Sequence, residues 1–142
     1  MSLKTRDVLD QMHLLTQPQF EWLCRDIFQA MGYVVRAAPA TDRLVHLEMV
    51  RDGRLVLVKC KQLESTHSAI AEPEVREFAD VVAGREADAG IFSTNGYFST
   101  HAAVCAHETS IELVDGAQIA RLWSACAGRV AMPAVPKPRE WS

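Results

Sequence analysis

The sequence predicts an α/β domain, and three observations carry that prediction. Asp52-Gly53 separates two apolar runs in the manner of a two-residue hairpin turn, because a type I′ turn needs positive φ at both central positions. Apolar residues at helical spacing alternate along the chain with short strand-like runs. After a leading helix the order reads helix, strand, hairpin, helix, strand, helix, strand, helix, with no internal repeat, which is an α/β order.

Thr5 to Leu15 sets Val8, Leu9, Met12 and Leu15 at helical spacing, a short leading helix. Thr16 then reads as an N-cap, with Gln19 completing a capping box and Pro18 in the first turn, where its missing N–H costs little. Phe20, Leu23, Cys24, Ile27, Phe28 and Met31 form a wide apolar stripe that ends at Gly32, a C′ residue. Beside the stripe, Glu21 reads as an exposed partner of Arg25 one helical turn on. Tyr33 to Arg36 is a first strand, and Ala37 to Ala40 an irregular link into the hairpin.

Gln62 to Ala71 is polar and small, a loop. Pro73 and Glu74 open a helix that carries Val75, Phe78, Ala79 and Val82 inward, its acidic first turn matching the helix dipole. Ala89 to Ser93 reads as a central strand buried on both faces. A turn and a Ser or Thr cap lead into a helix over Thr100 to His107, and Ile111 to Val114 is a further strand. Asp115 caps a last helix holding Ile119, Leu122 and Trp123, which Gly128 ends. The chain therefore divides into a leading helix (1–15), a main domain (16–128) and a Pro-rich flexible tail (129–142).

Within the hairpin, the two-residue turn sets Val50 against Leu55, Glu48 against Leu57, His46 against Lys59 and Leu44 against Lys61. Side chains alternate, so Val45, Leu47, Met49, Val56, Val58 and Cys60 share a purely apolar face that must be core. The other face turns polar away from the turn and ends in Glu48, His46, Lys59 and Lys61, which is either a site or a solvated rim.

At 142 residues, 49% of them hydrophobic and 23% charged, the chain is long enough for one domain with a real core. No apolar run approaches a membrane span and the start has no signal-peptide core. Cys24, Cys60, Cys105 and Cys126 show no ligand spacing, which suits reduced thiols in a cytoplasm and predicts neither disulfide nor structural zinc. A formal charge of −3 argues against a strongly basic nucleic-acid binder but leaves room for a local basic cleft.

Several stretches in order carry a resemblance. They are Leu15-Thr16-Gln17-Pro18-Gln19-Phe20-Glu21, Met31-Gly32-Tyr33, Val58-Lys59-Cys60-Lys61, Glu74-Val75-Arg76-Glu77, Phe92 to Ser99 with Ala102 or Ala103, and Leu113-Val114-Asp115-Gly116. Together they resemble the Mrr-type restriction endonucleases, a type IV branch of the PD-(D/E)xK nuclease fold, from Leu15 to Leu122. The resemblance implies a restriction-endonuclease-like mixed central sheet flanked by helices, and metal-dependent hydrolysis of DNA phosphodiesters.

In that family an Asp on the second strand and a Glu or Gln on the third hold Mg²⁺, a hard cation that prefers anionic oxygen. A Lys two residues further on positions water or steadies phosphate charge. Here Lys61 falls on the lysine, Lys59 on the Glu/Gln position and His46 on the Asp position, while Asp42 matches another acidic position before the strand. Both expected ligands are thus replaced, one of them by a cation. Glu48 with His46 and water would make a poor Mg²⁺ site that could take Mn²⁺, and Glu21 could approach from the first helix. The bland alternative is a Glu48–Lys59 diagonal ion pair on a solvated face, with His46 half-buried.

The resulting reading is a restriction-endonuclease-fold domain that acts on DNA, with Mg²⁺ or Mn²⁺ as cofactor if active and hydrolysis impaired by the replacements. Lys61, His46, Lys59, Glu48 and Glu21 are the candidate catalytic residues. Arg43, Lys59, Lys61, Asn95 and Ser99 are the candidate DNA contacts. The alternatives are a non-catalytic module that keeps the fold to bind nucleic acid or a protein, and an oligomerising scaffold. A separate DNA-recognition subunit and a homo-oligomer stay open as partners, and no membrane is expected.

Overall fold

A computed structural model describes residues 5–39, 43–65 and 67–133. In chain order the elements are α1 (Thr5–Leu14), α2 (Gln17–Ala30), β1 (Val34–Ala37), β2 (Leu47–Arg51), β3 (Arg54–Lys61), β4 (Ala69–Ile70), α3 (Glu72–Gly84), β5 (Ala89–Thr94), β6 (Tyr97–Phe98), α4 (Thr100–Glu108), β7 (Ile111–Val114) and α5 (Gly116–Ala125). Local chemistry sets most of these bounds. The Thr16 hydroxyl accepts from the Gln19 N–H and the Gln19 side chain accepts from the Thr16 N–H, which starts α2. Asp115 and Gln118 form the same reciprocal pair at the start of α5, and Ser99 caps α4. Asp52 and Gly53 have φ of 53° and 76°, the two positive values that a type I′ turn requires.

The main sheet has five strands in the order β1-β2-β3-β5-β7. The first three are antiparallel neighbours, and β3, β5 and β7 are parallel. Each parallel step needs a crossover, which α3 and α4 supply. One core joins α1, α2 and α5 to Leu47, Met49, Val56, Val58, Cys60, Ile91 and Val114. A second joins α3 and α4 to Leu57, Phe92 and Ile111. This is the helix-flanked mixed sheet that the resemblance implies. All four cysteines are free and buried. Among the described residues no helix is long and apolar enough to cross a membrane.

Four expectations need correction. Val45 lies in the α3/α4 core rather than with Leu47 and Met49. The paired ladder of β2 and β3 begins at Leu47, opposite Val58, so the expected pairs His46–Lys59 and Leu44–Lys61 are not part of it. The His46 N–H donates to the Val58 carbonyl at 2.8 Å, but the Cys60 N–H donates to His46 Nδ1 at 2.9 Å, a side chain in place of a backbone acceptor. That break of one residue in the period-two alternation sends Val45 to the opposite face.

The second correction is to the solvated-rim reading of the polar end of the other face, because Glu48 and Lys59 on it are buried. The third is to the loop Gln62 to Ala71, which contains β4. It pairs in parallel with β6, Ala69 opposite Tyr97 and Ile70 opposite Phe98, and a two-residue strand is too short to show alternation. The fourth is to the tail from 129. The Trp123 indole N–H donates to the Val130 carbonyl, Val130 is buried and Met132 packs against the first core. Residues 134–142, with most of the expected tail, lie outside the described residues.

Gly116 opens α5 with its N–H on the Gly96 carbonyl at 2.9 Å, and a Cβ there would lie 2.1 Å from the Asn95 carbonyl oxygen. Gly116→Ala should therefore lower the unfolding free energy in urea by about 1–3 kcal/mol, the usual cost of overpacking. A gain of about 0.4–1 kcal/mol, as for Gly→Ala at an unstrained site, would show instead that the 95–96 turn moves aside freely.

Candidate active site

Lys59 and Lys61 stand two residues apart near the end of β3, so both project from the α3 side of the sheet. Lys61 pairs with Thr94 of β5, which puts the two lysines at the carboxyl ends of two parallel strands, beside the first turn of α3. Carboxyl ends of parallel strands are where open α/β sheets form ligand sites.

The strand end is held from behind. The Gln17 side chain of α2 donates to the Cys60 carbonyl at 2.7 Å and to Glu21 at 2.9 Å, and its oxygen accepts the Gln62 N–H at 2.8 Å. Thr94 donates to the Lys61 carbonyl at 2.8 Å. Glu21 is thus tied to Gln17, one turn toward the start of the helix, and the expected Glu21–Arg25 pair gives way to an Arg25–Asp26 contact at 3.5 Å.

The two lysines differ sharply in setting. Lys59 is 8% exposed, with its ammonium 5.2 Å from the Phe92 ring centroid. Burial pulls its pKa below the usual lysine value; Glu74 and Glu77 oppose that shift and Lys61 adds to it. Lys61 is more open, and its ammonium meets both carboxylate oxygens of Glu74, at 2.8 and 2.7 Å.

Glu48 is not paired with Lys59. It is 5% exposed, and both of its oxygens are taken by arginines. Arg36 of β1 meets Oε1 at 2.8 Å through Nε and 2.6 Å through Nη2, and Arg85 after α3 meets Oε2 at 2.8 Å. Hydrogen bonds from Arg85 and Arg36 hold its carboxyl below the usual range, outweighing the burial that would raise it. A solvated face is therefore the wrong description of this region, because a charge at this depth needs partners.

His46 is half-buried, and its Nδ1 accepts the Cys60 N–H, so the neutral ring carries its proton on Nε2. Arg43 is exposed ahead of β2. Asp42 lies outside the described residues. Asn95 was expected as a DNA contact but is wholly buried. Its oxygen accepts the Leu63 N–H at 2.6 Å, and its amide donates to the Leu63 carbonyl at 2.8 Å and lies 2.9 Å from His13 Nδ1. It locks two loops together instead of facing a ligand. Ser99 spends its hydroxyl on the Ala102 N–H as the α4 cap.

Sequence reasoning missed Glu74 as the partner of Lys61, Gln17 as the brace of β3, and Arg36 and Arg85 as the partners of Glu48. The signals for both were indirect: Glu74 stands in an acidic first turn and Gln17 inside a capping motif, and each lies in a stretch that carries the family resemblance without revealing its partner. Nothing local pointed to the arginines.

Divalent-ion binding can be tested against these donors. Mg²⁺ needs anionic oxygens. His46 Nδ1 is spent on a backbone N–H, Lys59 and Lys61 are cations, and both Glu48 oxygens are bound by guanidinium groups. Among the described residues no three His, Cys, Asp or Glu side chains are grouped to hold a metal ion. Among the described residues, the donors of this cluster do not fit a divalent cation in this arrangement. They suit an anion, with two ammonium groups close together and one carboxylate already held there.

Glu48→Gln removes the charge from both arginine contacts, and should cost about 1–3 kcal/mol near neutral pH, the range for charge-assisted hydrogen bonds. Because the folded-state pKa is depressed, the contribution of Glu48 is complete above the usual value of 4.5 and lost as pH falls through the folded value. Urea unfolding of both proteins across pH should show their difference shrinking below that point. A pH-independent difference would assign the effect to shape rather than charge.

Comparison with known proteins places this geometry in a family. Residues 12–123 match the restriction endonuclease family. MspJI restriction endonuclease, solved in complex with a 27-mer oligonucleotide, is similar with a TM-score of 0.65 at 17% identity, over 96% of this chain and 38% of that one. The DNA modification-dependent restriction endonuclease AspBHI is similar with a TM-score of 0.72 at 10% identity, over 89% of this chain and 36% of that one. The chain spans less than two-fifths of the length of either, and at these identities the likeness is one of fold. No curated protein matches the sequence. The family match, by contrast, covers most of the chain and runs from the end of α1 into α5, and on that basis the protein belongs to the restriction endonuclease family.

Proposed function

We propose that the chain acts on DNA as a restriction-endonuclease domain whose metal-dependent hydrolysis is impaired. The observation that carries this reading is the replacement, inside a family-typical β2–β3 hairpin, of both expected ligands by a histidine engaged with the Cys60 N–H and a buried lysine. Family membership and the oligonucleotide bound to MspJI support DNA as the partner.

In this reading Lys61 and Lys59 supply positive charge to a backbone phosphate, and exposed Arg43 adds a contact at the approach to β2. Glu48 and Glu21 serve the frame: Glu48 ties β1 and β2 to α3 through its arginines, and Glu21 orients Gln17. Base recognition falls to a separate subunit or to a second copy of the chain. Four buried free thiols suit a cytoplasmic setting.

Supercoiled plasmid with Mg²⁺ and then Mn²⁺ tests the reading. Wild type is expected to leave the plasmid intact, and His46→Asp with Lys59→Gln is expected to nick it, an aspartate being able to accept the same Cys60 N–H. Adding Lys61→Ala should abolish that gain. Cleavage by wild type that Lys61→Ala removes would mean that hydrolysis survives with other ligands.

DNA binding is checked separately by titrating labelled duplex at several salt concentrations. Lys59→Glu and Lys61→Glu should weaken binding and flatten its salt dependence by about one counterion each. Unchanged binding would move the DNA surface elsewhere.

A further inference from the structure

The Lys61–Glu74 pair has the geometry of an occupied anion site. One ammonium meets both oxygens of a carboxylate at 2.8 and 2.7 Å, as it would meet two non-bridging oxygens of a phosphodiester. Lys59 stands two residues away on the same side of the strand, within the field of the same carboxylate. Glu74 is in the first turn of α3, whose N-cap is Ala71 and has no side-chain cap, so Glu74 also supplies negative charge where the helix end favours it. Lys61 and Glu74 are 39% and 35% exposed, open enough for an incoming phosphate to reach the ammonium and for the carboxylate to turn out to solvent. The nearby Glu72 is already engaged with Arg76 and does not reach the lysines.

We infer that Glu74 is an internal stand-in for a DNA phosphate, holding the Lys59–Lys61 site closed until a backbone phosphate displaces it. The inference rests on the proposed DNA-binding reading and adds a competitor to it. Exposed ion pairs are weak, which suits a latch that ligand must open. While closed, it keeps Lys61 oriented and lowers the attraction of the site for stray anions. Opening it frees one ammonium for the nucleic acid, so affinity and salt dependence should change together.

The test is titration of the full chain with a fluorescently labelled duplex in EDTA at several salt concentrations. Glu74→Gln should raise affinity about two- to fivefold, the range that an exposed ion pair is worth, and steepen the salt dependence by about one counterion. Glu72→Gln removes the same charge from the same turn without touching Lys61, and should raise affinity less. Glu74→Asp, which keeps the charge but shortens its reach, should fall between wild type and Glu74→Gln. In a Lys61→Ala background, Glu74→Gln should add little. Thermal unfolding confirms that each variant is folded.

Equal gains from Glu72→Gln and Glu74→Gln would reduce the effect to general charge and overturn the latch. If Lys61→Glu weakens binding but Glu74→Gln does not strengthen it, the DNA reading stands and the latch fails. Absence of DNA binding by wild type and Glu74→Gln alike overturns both.

Discussion

Strand β3 runs through the middle of the sheet, antiparallel to β2 on one side and parallel to β5 on the other, and its placement fixes both cores at once. Val56, Val58 and Cys60 face α2, while Leu57 faces α3, so a slip of one residue would exchange the two apolar sets. The Asp52-Gly53 turn fixes this register from one end. At the other, Gln17, His46 and Thr94 bind the backbone of Cys60, Lys61 and Gln62. A strand pinned at both ends can carry two lysines on one side without drifting, and this is what gives the site a defined geometry.

Charge is distributed over the hairpin with little left uncompensated. Glu48, buried in β2, is held by one arginine from β1 and another from the end of α3, and Lys61 is matched by Glu74. Lys59 rests over an aromatic face, where cation–π attraction offsets part of the cost of burial. Each of these charged groups is thus met by an internal partner, Lys61 by a carboxylate and Lys59 by a ring.

Local signals in the sequence were legible wherever they act over a few residues. The capping residues Thr16, Ser99 and Asp115, the Asp52-Gly53 turn and the bounds of β3 and β7 all follow from nearest neighbours. What escaped was set by distant partners. The imidazole of His46 takes the place of a ladder carbonyl, which no propensity reveals, and Val45 changes face in consequence. Glu48 meets Arg85 across 37 residues, and Asn95 reaches Leu63 across 32. A polar residue read from sequence as solvated or functional turned out in each case to be satisfied internally, as burial demands. The family positions were legible as an ordered set, because each short motif marks an element boundary that the fold must keep.

The mixed topology also divides the molecule by contact range. β1, β2 and β3 meet through connections that are short along the chain, and the hairpin between β2 and β3 closes over two residues. β3 meets β5 only after the whole of α3 has been laid down, and β5 meets β7 only after α4. Loop-closure entropy therefore favours early assembly of the antiparallel half and makes the parallel half the slower partner. The lysines lie on the border: their strand belongs to the half that forms locally, while Glu74 and Phe92 come from elements that arrive later. The ion pair, 13 residues apart along the chain, needs only α3 to fold back on β3, whereas the aromatic contact waits until β5 has joined the sheet.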